Sequence, residues 1–394
     1  MTRRILIAGG GIAGSAAALA LGQAGIAATV YEARRDAGDY SGAALRLPRN
    51  GLDALRAIGA HQAVIEASAL LLRTDLGSGT GRQLGTVRLS SGPDQEPPRA
   101  VPRAKLARIL REEAEQRGAT VELGKSLTTA KTTDTGVLAT FDDGTTAEAE
   151  VLIGADGIHS TVRGLVDPSA PEPRFCGVHI LHGYTAQSVS ASPSPDAFKI
   201  FWGKNATFGY TSAAGDYYWF GSIPADAPLD SAQATNVEAL RSRLLKLFRR
   251  DRTPASAIIR AADVILATSP REVRDLASWH NGSMVVIGDA AHAVPPATEQ
   301  GAALALEDAV VLAQCLRDAD DPQHALRVFE GVRRERVERV VARGAGRTAQ
   351  RRRMPRWLAQ RKRDQAIARA AQNGAMAPPS WLHDHHLEWE QRVL

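Results

Sequence analysis

Only two cysteines, Cys176 and Cys315, occur in 394 residues. Neither belongs to a CxxC pair or lies near a plausible metal cluster, so a disulfide framework and a thiolate-bound metal are not what organises the chain. Two reduced thiols fit a cytoplasmic protein. Long apolar runs are missing as well: no stretch approaches the roughly 20 residues of a membrane-spanning helix. The apolar run after Arg3 and Arg4 is broken by Gly9, Gly10, Gly11 and Gly14 and leads to Tyr31-Glu32, which reads as folded structure rather than a signal peptide. There is no nucleophile elbow, no HExxH, no Walker A pattern, no second GxGxxG and no internal repeat. Aromatics are scarce, 5% of residues, yet nine of the twenty fall between Phe198 and Phe220.

What is present is ordinary for a soluble enzyme: 44% hydrophobic and 23% charged residues, enough length for two or three domains. Arg4–Ala8 reads as a buried strand, Gly14–Gly25 as a helix and Ala27–Glu32 as a second strand, so a parallel sheet is expected. Gly9, Gly11 and Gly14 form GxGxxG between the first strand and the helix, with Ile12 and Ala13 inside the motif. The first glycine allows the turn, the second admits a pyrophosphate, and the third lets helix and strand pack. The helix N-terminus offers free N–H groups to the phosphates. Glu32, followed by Ala33 and Arg34, ends the second strand and can accept hydrogen bonds from a ribose. This constellation predicts a dinucleotide site without separating FAD from NAD.

Further along, Arg49–Ile58 and Arg103–Arg117 read as amphipathic helices, with loops and short strands between Leu76 and Pro98. Thr120–Glu122 is a strand. Asp142-Asp143-Gly144 marks a hairpin between Val137–Phe141 and Thr145–Glu150. Val151–Ile153 runs into GADGIHSTVR, Gly154–Arg163. After Pro168, strands dominate to about Pro224, with a hairpin of Ala206–Ser212 and Tyr217–Ile223 around 213–216. The nine clustered aromatics are mostly sheet packing, with a few lining an apolar pocket. Val237–Phe248 is a helix, and Val285–Ile287 a strand leading into GDAAHAVPP, Gly288–Pro296. Ala302–Leu316 is an apolar helix, and helices continue to about Ala371. Arg339, Arg343, Arg347 and Arg351 fall on one helical face. With no aromatic platform beside them, they read as a solvated face, not a nucleic-acid surface. His383-Asp384-His385-His386 fits no closed metal site and reads as a frayed terminus.

The three glycine motifs, in this order, resemble those of the class A flavoprotein monooxygenases, the family of FAD-dependent aromatic hydroxylases that includes p-hydroxybenzoate hydroxylase. The resemblance covers roughly residues 4–316. It implies an α/β fold: a Rossmann-like, three-layer FAD-binding domain with a parallel sheet, a β-rich substrate domain and C-terminal helices. The expected division is 1–70, 98–168 and 275–330 for FAD, 71–97 and 169–274 for substrate, and 331–394 for the helical segment and tail. In the family, the Asp156-Gly157 pair with the tail Ser160 to Arg163 lies near the FAD pyrophosphate and is linked to NAD(P)H use. Read from the residues alone, the same pair is a capped turn opening a helix. By resemblance Asp289, after Gly288, hydrogen-bonds the ribityl chain. Pro295-Pro296 stiffens a loop to Gln300, Gly301 and Ala302, whose helix points its N-terminus at the flavin and stabilises negative charge there. Arg103 matches a cofactor-contacting arginine, and Arg46 lies in a segment flanking the isoalloxazine.

The implied activity is hydroxylation of a small aromatic or polycyclic substrate by O2 through a flavin hydroperoxide, with NADPH or NADH as reductant, in natural-product tailoring or aromatic catabolism. Epoxidation and Baeyer–Villiger insertion would use the same scaffold. The expected assembly is a monomer or homodimer. No residue is identified as catalytic, and His292 is expected to be structural. One position departs from the pattern: Glu299 stands where relatives commonly carry glycine, and its charge opposes a reduced flavin unless it points away or pairs with an arginine. Two rivals remain. A flavin-dependent halogenase would need a WxWxIP motif, of which Trp219-Phe220-Gly221-Ser222-Ile223-Pro224 keeps one Trp and the Ile-Pro; it would also need an early lysine, whereas the first is Lys105. A non-catalytic flavin protein would use the arginine stripe to dock a partner.

Overall fold

The computed structural model describes residues 3–36, 44–90, 95–185, 196–213, 216–348 and 356–394. Its centre is a six-stranded sheet in the order His280–Asn281, Met284–Val286, Val151–Gly154, Arg4–Ala8, Ala27–Glu32, Thr120–Leu123. All neighbours are parallel except the first pair. The registers Ala8↔Gly154 and Gly154↔Val286 bring the ends of the three motif-bearing strands level. Ile5, Leu6, Ile7, Leu152, Ile153 and Val285 are essentially inaccessible, as strands covered on both faces must be.

Helices Ile12–Gln23, Arg103–Gln116 and Gly301–Asp318 pack together on one face. On the other lies an antiparallel meander, Leu127–Thr133, Gly136–Phe141 and Thr146–Ala149, with the Asp142–Gly144 turn where expected. Phe141 stacks on Tyr31 with ring centroids 4.3 Å apart. Helix, sheet and meander make three layers.

A seven-stranded mixed sheet runs Val264–Thr268, Val178–Thr185, Asp216–Pro224, Thr207–Ala213, Ala197–Trp202, Arg73–Ser78, Gln83–Arg88. The Gly- and Ser-rich stretch after Leu76 is therefore more regular than its composition suggests. Its hairpin extends the sheet by two strands, Arg73–Ser78 pairing in parallel with Ala197–Trp202 and Gln83–Arg88 forming the edge, a long-range contact that local sequence does not report. Tetrapeptide 213–216 joins the expected hairpin; residues 214 and 215 lie outside the described residues. The strands alternate. Leu181, Phe208, Tyr210, Tyr217, Trp219 and Ile223 face helices Val237–Phe248 and Ala255–Arg260, burying Leu240, Leu244, Phe248 and Ile258. Each such side chain contributes about 1.5–3 kcal/mol. Asn236 starts the first of these helices by accepting from Ala239 N at 3.0 Å.

Ala44–Leu47, Arg99–Pro102 and Ala69–Leu70 form a separate small antiparallel sheet. Helix Pro322–Thr348 then packs along Gly301–Asp318 through Leu326, Phe329, Val337 and Val340. It passes without a break through 330/331, the expected limit of the FAD domain. Helix Arg356–Gln372 lies on the Gln83–Arg88 edge. Among the described residues no helix is long and apolar enough to cross a membrane, and no cluster is placed to hold a metal ion.

The tail corrects the sequence reading: it is not frayed. Leu382 is buried, and Arg336 donates to the carbonyls of Trp381 and Leu382 at 3.0 and 3.2 Å. Leu387 N and His386 Nδ1 reach the Asp53 carboxylate at 2.7 and 2.8 Å, and Asp384 pairs with Arg49. Gln314 and Arg317 hold the backbone of Glu388 and Trp389. Backbone carbonyls meeting side chains from distant helices left no pattern in the sequence. Of the arginine stripe, Arg339 stacks over Trp381 at 4.0 Å rather than facing solvent alone. Arg351 lies outside the described residues.

Candidate flavin and substrate site

Three glycine contacts lock the motif-bearing loops together. Gly9 has φ +100°, and a Cβ there would stand 2.5 Å from Ala155 O, so the first and second motifs touch. A Cβ on Gly14 would stand 1.9 Å from Gly9 O, so the helix can start only on a glycine. Gly288, at φ +58°, lies against Ala13 and Ala305. Gly11 differs: it faces open space, and no side chain caps helix Ile12–Gln23. Unfilled space above the first turn of an uncapped helix is the setting in which a phosphate binds. Glu32 accepts from Gly10 N at 2.7 Å and Arg34 N at 3.0 Å, which aims its carboxylate across the glycine turn. Ala33 and Arg34 follow it at the surface.

In the second motif, Asp156 accepts from Ser160 Oγ and from the N–H groups of Thr161 and Val162 at 2.7 and 3.1 Å. It therefore satisfies the first two N–H groups of helix Thr161–Val166 while Ser160, the N-cap, accepts from Arg163 N at 2.9 Å, so the segment is a capped turn opening a helix, with Gly157 at φ +78° beside it. Burial raises the Asp156 pKa, an effect its hydrogen bonds only partly offset. Arg163, buried, donates to Ala290 O at 3.1 Å and Ile158 O at 2.9 Å, tying this motif to the third.

The third motif hangs on a charge cluster that sequence reasoning missed. Asp308 accepts from Gly288 N at 2.9 Å and His292 Nε2 at 2.6 Å, and pairs with Arg333 at 2.9 Å. Arg333 also meets Glu307 at 2.8 Å, and Arg336 meets Glu307 at 2.7 Å. Burial by itself would raise both carboxyl pKa values. Arg333 and Arg336 hold Glu307 at about 2, and His292 with Arg333 hold Asp308 at about 2. His292 is thereby committed to Asp308. Spacing gave little signal: Arg333 sits in an arginine-rich helix that reads as solvated.

Asp289 is half-buried, and no group among the described residues hydrogen-bonds its carboxylate; Oδ1 lies 3.9 Å from where a Gly301 Cβ would stand. The loop through Pro296 brings Gln300, Gly301 and Ala302 to the N-terminus of the Gly301–Asp318 helix. Gln300 is fully buried and accepts from Asn50 Nδ2 at 3.0 Å, while its Nε2 finds no protein partner. A buried donor left over at a helix N-terminus, an unpaired carboxylate and an open glycine turn all fit a flavin dinucleotide. Glu299 adopts φ +55°, the left-handed region where glycine is at ease, and pairs with Arg46. Arg46 in turn donates to Thr74 Oγ1 at 3.3 Å. The ion pair answers the charge problem that Glu299 raises, and links the loop to the seven-stranded sheet.

That link defines the sheet face turned toward the motifs. Thr74, Phe198, Tyr218 and Tyr184 share one row of the face and Ile200, Gly209, Phe220 and His182 the next. Phe198 and Phe220 stack with rings 10° from parallel at 6.1 Å, and Phe220 lies over Gly209, where a Cβ would be 2.3 Å from it. Arg103, exposed at the start of its helix, is close enough for its charge to act on His182. The clustered aromatics thus divide: Phe208, Tyr210, Tyr217 and Trp219 form the rear core, and Phe198, Tyr218 and Phe220 face forward.

Residues 2–344 match the family model described as FAD binding domain. The chain is 30% identical over 345 residues to the FAD-dependent urate hydroxylase of Klebsiella pneumoniae, covering 86% of this chain and 88% of that protein. It is 33% identical over 362 residues to the 3-amino-4-hydroxybenzoate 2-monooxygenase PtnB3 of Streptomyces platensis, covering 86% and 85%. The crystal structure of Klebsiella pneumoniae HpxO complexed with FAD and uric acid superposes with a TM-score of 0.81 at 26% identity, covering 96% of this chain and 97% of that one. The chain belongs to the FAD binding domain family and is an FAD-dependent monooxygenase.

Proposed function

We propose that the chain is an aromatic hydroxylase that takes its electrons from NADPH or NADH and its oxygen from O2. The observation that carries this is the Arg46 bridge, which pairs with Glu299 in the loop after the third glycine motif and donates to Thr74 on the sheet face that carries Phe198, Tyr218 and Phe220. FAD, when bound, supplies two-electron redox chemistry and the activation of O2. Gly9, Gly11, Ile12, Ala13 and Gly14 would hold its pyrophosphate, with Asp156 and Gly157 beside it. Glu32, Ala33 and Arg34 would take the adenosine ribose. Gly288, Asp289, Pro296, Gln300, Gly301 and Ala302 would hold the ribityl and ring end, with Arg46 and Arg103 flanking. The uncapped first turn at Gly301 would favour electron density on the ring. We assign the FAD domain to 1–70, 98–168 and 275–330, the substrate domain to 71–97 and 169–274, and the C-terminal segment to 331–394. The substrate would be a flat aromatic or polycyclic molecule, a class in which urate and 3-amino-4-hydroxybenzoate, named for the relatives, both fall. A halogenase reading finds no support in Trp219, which is buried at the rear and donates to Thr185 Oγ1 at 3.1 Å.

The test is turnover of the FAD-loaded protein with NADPH or NADH under isotopically labelled O2, against urate, 3-amino-4-hydroxybenzoate and hydroxylated polycyclic compounds. A product carrying one labelled oxygen atom supports the reading. Nicotinamide oxidation that yields only hydrogen peroxide with every compound would overturn it.

A further inference from the structure

The forward face carries a histidine that the cofactor site does not use. His182 sits in Val178–Thr185, next to the Val264–Thr268 edge strand, between Phe220 on one side and Leu266 on the other. Phe220 leans away from it across Gly209 toward Phe198, and part of the His182 surface stays accessible. Three other polar groups of the face are committed: Thr74 to Arg46, Thr211 to Ala197 O at 3.1 Å, and Tyr184 to Asp216 at 2.9 Å. Among the described residues no group hydrogen-bonds the His182 imidazole. Burial, and then the Arg103 charge, push its pKa down to about 4, while part of its surface stays accessible. At neutral pH it therefore carries one N–H donor and one bare nitrogen acceptor. Its place on the forward face beside Phe220, with part of its surface accessible, leaves the imidazole open to a ligand laid on that face.

Resting on the aromatic-hydroxylase reading, we propose that His182 anchors the substrate, accepting a hydrogen bond from a ring hydroxyl or ring N–H of an aromatic molecule laid against Phe198 and Phe220. The ligand class is a hydroxylated arene or an N–H heteroarene rather than a bare hydrocarbon. An acceptor placed in a dry pocket discriminates strongly against an analogue that lacks the donor, because the nitrogen is then left unpaired.

The test titrates FAD-loaded wild type, His182→Phe, His182→Ala and His182→Gln with three pairs of probes, following the flavin difference spectrum. The pairs are phenol and anisole, 1-naphthol and 1-methoxynaphthalene, and 3-amino-4-hydroxybenzoate and 3-amino-4-methoxybenzoate. The wild type should bind the hydroxy member of at least one pair about tenfold or more tighter than its methyl ether. The Phe and Ala variants should lose that preference with FAD content unchanged, and Gln, which keeps an acceptor, should retain part of it. A preference that survives in Phe or Ala overturns the assignment of His182 and leaves the hydroxylase reading standing. Failure of the wild type to bind any hydroxy probe counts against the hydroxyarene class itself, and the role of His182 falls with it.

Discussion

Replacing Arg333 with methionine should cost the protein about 3–5 kcal/mol of stability, because it strips a buried guanidinium from two buried carboxylates. Arg333 is 1% exposed and Glu307 and Asp308 are 0% exposed, so neither acid can turn to water. Arg336 remains on Glu307, and His292 on Asp308, but no positive charge then lies between the two acids. Methionine fills much of the arginine stem's volume, so the loss is one of charge pairing rather than of packing. At about 2–4 °C per kcal/mol for a large domain, the melting temperature should fall by roughly 6–20 °C. Since Asp308 also holds Gly288 N, flavin release should move with the unfolding transition. The assay is circular dichroism with flavin fluorescence recorded on the same thermal ramp. Arg327→Met is the control: its pair with Asp321 spans 3.7 Å between exposed side chains, and its loss should stay within about 0.5 kcal/mol. Equal shifts for Arg333→Met and Arg327→Met would refute the idea that this cluster braces the third motif.

The same carboxylates set an acid limit. Their folded pKa values, about 2, lie below the ordinary 4.5 of Glu307 and 3.8 of Asp308, so their contribution is complete above those values and is lost as pH falls toward 2. Thermal melts across that window should show a steep decline that begins at higher pH in Arg333→Met; coincident profiles would contradict it. Gly11→Ala meets nothing within 4 Å, so the FAD-free protein should melt unchanged while FAD affinity, read by fluorescence titration, falls about tenfold or more. Unaltered affinity would move the pyrophosphate elsewhere. Removing residues 380–394 takes away buried Leu382 and the contacts to Arg336 and Asp53, and should cost about 2–4 kcal/mol in a denaturant melt; no change would mean the docked tail adds nothing.

The parallel sheet was legible because its signals are local. The runs at Arg4–Ala8 and Ala27–Glu32 are short and apolar, with glycines between them that permit one turn geometry. Helix Val237–Phe248 was expected with the same bounds, and the structure adds the Asn236 cap before it. What stayed hidden depends on contacts between distant residues. Arg333 looks like its solvated neighbours until Glu307 and Asp308, more than twenty residues earlier, are laid against it. The tail lacks a periodic pattern because its anchors are largely backbone carbonyls and one aspartate on another helix. Glu299 was visible as an oddity, but its partner Arg46 was not, since a pairing across 250 residues leaves no mark in spacing. His182 carries no motif at all; only the alternation of the sheet assigns it a face.

The most direct measurement is the visible spectrum of the FAD-loaded protein on anaerobic addition of NADPH and then NADH, with and without a hydroxyaromatic compound, followed by admission of O2. The account predicts that the flavin bands bleach with at least one nicotinamide and return when oxygen enters. Bands that persist with both nicotinamides and every compound would contradict the claim that this chain is a self-sufficient NAD(P)H-using monooxygenase.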